Sequence, residues 1–200
     1  MNEKNLNVLI DFGSSKIRLG AYNNETSKNI FISERDCVSN FNLKNFDISS
    51  STEIIKDQIK FAEKKIDKHI NNINLMIDTP DMFSIDISVK KKYDMRQYSK
   101  DDILSLLNEA KNLVQKNYFN QKVLHMIVKK FIFDDKEFFE IPKKEINYSS
   151  LIIEIKFICF SEKIWKNLQE SFSDNYLNID NLYSSSYVRS SNYNSLYDDF

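Results

Sequence analysis

The chain has 200 residues, enough for one large domain or two small ones, and 42% of them are apolar, enough for a core. Its net charge is −1, so no basic face argues for nonspecific binding to nucleic acid. No apolar run approaches the ~20 residues that span a bilayer, and the polar start Met1–Asn5 reads as no signal peptide.

In chain order, residues 6–12 and 16–22 read as two strands, and 29–38 as a third, an antiparallel meander opening the domain. The Ser49–Ser51 cluster offers a helix start, with Ser50 and Glu53 spaced as a capping box. Ile55, Ile59, Ala62, Ile66 and Ile70 then form a helical stripe. Residues 73–79 read as a short buried strand stopped by Pro80.

From about Asp81 the organisation changes. Phe83, Ile85, Ile87 and Val89 alternate with polar residues as a half-buried strand, with Lys90–Lys92 as its solvated end. Ser99 and Asp102 give a second capping signal, ahead of a helix with apolar residues at Ile103, Leu106, Leu107, Ala110, Leu113 and Val114. A long strand over 122–133 follows, then a turn at Asp134–Lys136 and a polar connection holding Pro142. Leu151, Ile153, Ile155, Phe157 and Cys159 alternate on another strand. Ser161 starts a helix carrying Ile164, Trp165, Leu168 and Phe172, and 177–183 read as a final strand and turn. The last fifteen residues, rich in Ser, Tyr and Asn, read as a helix lacking its packing partner or as a disordered tail.

Only two glycines occur, Gly13 and Gly20, where an average chain of this length would hold about fourteen. Both fall in the stretch Val8–Gly20, where Gly13 stands between an apolar run ending in Asp11 and Phe12 and the polar group Ser14, Ser15 and Lys16. Such a turn can hold phosphate, because backbone N–H groups point at the anion and glycine lacks the Cβ that would block close approach. An ordinary hairpin with a polar turn is the other reading. Cys37 and Cys159 form no metal-like pair and read as free, reduced thiols of a cytoplasmic protein. His69 and His125 are isolated, Asp134 and Asp135 read as a turn rather than a metal site, and no catalytic grouping stands out.

The Ile10–Lys16 turn resembles the first phosphate loop of the actin-like ATPase superfamily. Val123–Ile127, then Phe131–Asp134 and Pro142, resembles a stretch of the bacterial cell-division family FtsA, and the order of the surrounding elements is similar. So is the late segment Asp180–Tyr187. The resemblance implies an α/β fold: an actin-like (ribonuclease H-like) first subdomain at 1–80 and 159–200, with an inserted strand–helix–strand–strand (SHS2) subdomain at 81–158. It covers only the N-terminal half of such a protein, since the family's second phosphate loop, adenosine segment and amphipathic membrane helix come later; either the chain is a piece of a longer protein or the gene is truncated or divergent. It implies ATP and Mg²⁺ as cofactors of the whole, weak or absent for this chain alone. Asp11, Gly13, Ser14, Ser15 and Lys16 would then be the phosphate-binding set, with Asp11 orienting a water on Mg²⁺.

By the same resemblance the whole protein self-associates into filaments, meets FtsZ through the later part and engages later division proteins through 81–158. It would sit at the cytoplasmic face of the inner membrane at the division site, with at most weak ATPase activity. Two features depart from the family: Val128 stands where a proline is usual, and Lys143–Asn147 replaces a glycine-rich connection. A pilus-assembly actin-like protein of the PilM type shares the architecture and is one alternative. A kinase of the sugar-kinase branch is the other.

Overall fold

The computed structural model describes residues 6–13, 15–26, 28–36, 48–79, 81–97, 99–142 and 146–197, with backbone alone at 48–51, 96 and 192–197. The expected Ser50 cap, the Cys37 thiol, Pro80 and most of the 143–147 connection lie outside the described residues or side chains. The chain divides into two compact units, Met1–Asp81 with Lys163–Phe200, and Met82–Glu162.

In the first unit, β1 (Leu6–Phe12), β2 (Lys16–Asn23) and β3 (Asn29–Asp36) form an antiparallel meander. Helix α1 (Ile48–Ile66) carries the chain to β4 (Asn72–Ile77), which runs parallel to β1. After the second unit, α3 (Glu162–Ser173) leads to β9 (Asn178–Ser184), parallel to β4, and α4 (Ser185–Tyr197) follows. The sheet order is β3-β2-β1-β4-β9. Strand alternation decides its two faces. Val8, Ile10 and Phe12, with Ile17, Leu19, Ala21, Ile73, Leu75 and Ile77, are buried on one face. The stripe Ile55, Ile59 and Ala62 buries α1, whose Gln58 donates to the Ile17 carbonyl at 3.2 Å. The helix ends at Ile66 because Asp67 takes a left-handed φ of 54°, so the expected last stripe residue, Ile70, is buried in the loop instead.

The other face carries mostly polar side chains, with Leu9 and Met76 among them. Asn74 of β4 donates to Asn7 of β1 at 2.7 Å and accepts from Asn181 of β9 at 2.8 Å, an amide ladder across three strands.

The second unit pairs β5 (Phe83–Gln97), β8 (Asn147–Ser161), β6 (Gln121–Phe133) and β7 (Lys136–Phe138) in the order β5-β8-β6-β7, all antiparallel. Helix α2 (Lys100–Asn117) opens on the capping box expected of Ser99 and Asp102. It buries Leu106, Ala110 and Val114 in a core with Phe133, Ile153, Ile155 and Phe157, whereas Leu113 is exposed. The buried Asp102 carboxylate also accepts the Tyr148 hydroxyl at 2.8 Å.

Two local expectations are corrected here. Lys90–Lys92 does not end its strand: all three stay paired with β8, because an edge strand holds lysines toward solvent without losing its ladder, and β5 continues past an irregularity after Lys92 to pair again at Arg96 and Gln97. The turn after β6 is Asp134–Asp135 alone, both left-handed (φ 43° and 69°), and Lys136 already begins β7. Asp134 accepts the Ser149 and Ser150 backbone amides at 2.9 and 2.8 Å, which holds its carboxyl below the usual range. His125 is half-buried in β6, and burial lowers its pKa. Cys159 is a buried free thiol whose pKa burial raises.

Candidate functional site

A short turn joins β1 to β2. The Gly13 amide donates to the Lys16 carbonyl at 3.0 Å, and Phe12 pairs with Ile17. Gly13 does not have a positive φ. Its lack of a side chain matters because a Cβ there would stand 2.9 Å from the Lys16 carbonyl oxygen. Ser15 is exposed at the bend, and Ser14 lies outside the described residues.

Strand register assembles the charges around this turn. Asp11 of β1 stands opposite Arg18 of β2, and Arg18 stands opposite Glu34 of β3, a row on the polar face. Arg18 donates through Nη1 to Asp11 Oδ2 at 3.3 Å and through Nε to Glu34 Oε2 at 2.7 Å. Lys16, two residues before Arg18 on the same face, pairs with the other oxygen of Glu34. The Lys16 hydrogen bond, then that of Arg18, holds the Glu34 carboxyl below its ordinary value, and Glu34 in turn raises the Lys16 ammonium.

Helix α4 completes the row. Ser184 caps it, its Oγ accepting the Tyr187 amide at 3.3 Å. One residue on, Ser185 donates to Asp11 Oδ1 at 3.1 Å. One turn further, Arg189 Nη2 reaches Asp11 Oδ2 at 3.0 Å and Oδ1 at 3.3 Å. The Asp11 side chain is only 13% exposed, so these partners take the place of water. Beside it, at the end of β4, Asp78 Oδ1 accepts the hydroxyls of Ser184 at 3.0 Å and Ser186 at 3.2 Å. The Thr79 hydroxyl next in the chain is buried with no hydrogen-bond partner.

The fold thus gathers Asp11, Gly13, Ser15 and Lys16 at one sheet end, as their adjacency in sequence requires. It adds Arg18, Glu34, Ser185 and Arg189, none of which sequence reasoning singled out. Two of these were within reach: antiparallel pairing of β1 with β2 across a short turn places Arg18 opposite Asp11, and Glu34 shares that face.

For Mg²⁺ and nucleotide phosphates the fit is poor. Both Asp11 oxygens already accept from arginines, the Gly13 amide is engaged within the hairpin, and Lys16 is matched by Glu34. A dication held through water at Asp11 would face two guanidiniums. No group of three or more His, Cys, Asp or Glu residues suited to a metal ion occurs among the described residues. No described helix is long and apolar enough to cross a membrane.

No family model matches the chain, and no curated protein matches it significantly in sequence. Solved structures do. The PilM–PilN type IV pilus biogenesis complex matches with a TM-score of 0.54 at 7% identity, over 90% of this chain and 47% of that one. The cytoplasmic domain of EpsL, an inner-membrane component of the Vibrio cholerae type II secretion system, matches at 0.36 and 8%, over 90% and 55%. A Bacteroides thetaiotaomicron protein of unknown function with an actin-like ATPase fold matches at 0.33 and 16%, over 93% and 56%. The chain therefore spans about half the length of the solved proteins it resembles. At such low identity the PilM–PilN likeness speaks for the fold alone: the chain shares a fold with part of that complex, its five-stranded sheet interrupted after β4 by a second, sheet-rich unit.

Proposed function

We propose that this chain is the front half of an actin-like adaptor that works by binding proteins within a bacterial envelope machine, and that the machine is the division apparatus. The order β3-β2-β1-β4-β9, with a separate unit inserted between β4 and β9, carries the reading. The FtsA-like stretch Val123–Ile127 lies in that inserted unit, on β6, and supports division over other machines. On this reading Met82–Glu162 is the SHS2-type subdomain that contacts neighbouring copies and later division proteins. FtsZ is met through the part of the protein beyond this chain. The complete protein works at the cytoplasmic face of the inner membrane, attached through a helix of that later part. ATP and Mg²⁺ are weak or absent ligands of this chain, and no residue is assigned a catalytic role.

The PilM–PilN likeness favours a second reading, a pilus-assembly adaptor of the PilM type. A fluorescent fusion to the complete protein, combined with its depletion, separates the two. Midcell rings and filamentous cells support the division reading. Loss of surface pili with normal division supports the other. Diffuse fluorescence with neither defect overturns both.

A further inference from the structure

Five side chains of alternating sign run along the polar face: Lys16, Glu34, Arg18, Asp11 and Arg189. Three come from one row of paired positions on β3, β2 and β1, so the register of the sheet fixes them. The last comes from α4, whose start is fixed by the Ser184 cap and by Ser185 on Asp11. Each carboxylate lies between two cations. From this geometry we infer that the phosphate turn is closed by its own charges: Arg189 and Arg18 stand at Asp11 where Mg²⁺ would act, and Glu34 stands at Lys16 where a phosphate would.

The complete protein then folds this half-site, and keeps α4 docked on it, without Mg·ATP. Opening the site to a magnesium nucleotide would require Asp11 to leave both guanidiniums and Ser185, and Glu34 to leave Lys16 and Arg18. A dication entering beside two arginines gains nothing from Asp11 until they have moved. Phosphate without magnesium is a different competitor, because it replaces the carboxylates rather than the arginines. The inference extends the adaptor reading by removing nucleotide control from it, and it survives if the machine proves to be a pilus rather than a division ring.

The test uses the complete protein expressed from its whole gene. Wild type is titrated with Mg·ATP to millimolar concentration by calorimetry and by thermal melting, and again with ATP in EDTA. No binding heat and no melting shift are expected in either case. Asp11→Asn and Arg189→Ala are melted without ligand, and both are expected to melt below wild type, because each breaks the chain of pairs. Saturable binding of Mg·ATP overturns the inference, as does an Asp11→Asn protein that melts above wild type, the behaviour of a carboxylate waiting unpaired for a metal. Binding of ATP in EDTA also overturns it, by showing that the three cations release their carboxylates to phosphate. If either variant fails to fold, the two wild-type titrations decide. Localisation of the fusion tests the adaptor reading separately, so the two can fail independently.

Discussion

Gly13 and Gly20 show how one residue type answers two different constraints. At Gly13 the obstacle is backbone: an added Cβ meets the Lys16 carbonyl at 2.9 Å, and moving that carbonyl breaks the bond closing the hairpin. Gly13→Ala is expected to cost about 1–3 kcal/mol, the usual range for overpacking. At Gly20 the obstacle is the Tyr22 ring at 2.6 Å, which can swing aside toward solvent. Gly20→Ala is expected to change stability by less than about 1 kcal/mol, since the smaller entropy of the unfolded chain offsets the strain. Denaturant melts of the two variants check the order. Glu34 carries a pH signature. Its carboxyl is held below the ordinary 4.5 by Lys16 and Arg18, so its contribution is complete above that value and is lost as pH falls through the lowered one. The melting difference between wild type and Glu34→Gln is expected to be constant near neutrality and to shrink in acid below pH 4.5. A difference unchanged down to the acid limit would count against the pairing.

Among the elements, α2 is the one the sequence specifies most fully. Its cap, its stripe and its burial agree except at the exposed Leu113, and Leu106 at its centre is fully buried. Leu106→Ala is expected to cost about 2–5 kcal/mol in a thermal or urea melt. Tyr148→Phe removes one donor from the buried Asp102 carboxylate and is expected to cost about 1–3 kcal/mol. The cap itself was legible from Ser99 and Asp102, because that pattern acts over one helical turn. The Tyr148 contact was not, because it joins positions 46 apart and needs the β5–β8 register first. The same limit explains the candidate site. Asp11, Gly13, Ser15 and Lys16 are neighbours in sequence, and local pattern was enough to single them out. Arg189 lies 178 residues from Asp11, and nothing in the composition of α4, poor in aliphatics, says where that helix docks. Lys90–Lys92 misled for a related reason: a charge run marks solvated side chains, but an edge strand can hold them in mid-strand while its inward residues, such as Val89, stay buried.

At the scale of the molecule, the inserted unit leaves and re-enters the chain at neighbouring points. Phe83 pairs with Cys159, so the first residues of β5 and the last of β8 lie side by side. A segment with adjacent ends, its own sheet and its own core meets the conditions for independent folding. Residues 82–162 expressed alone are expected to give a dispersed NMR spectrum and a cooperative melt, and a collapsed spectrum would show that the unit depends on the rest of the chain.

That arrangement also sets how the unit answers mechanical load. Tension entering at Met82 and leaving at Glu162 pulls apart two antiparallel strands from the same end. The β5–β8 rungs then open in succession, like a zipper, instead of resisting together in shear. Stretched between those two points in an optical trap, the unit is expected to yield at low force. It is expected to hold much better when the handles are moved to Phe83 and Leu151, near opposite ends of the paired strands.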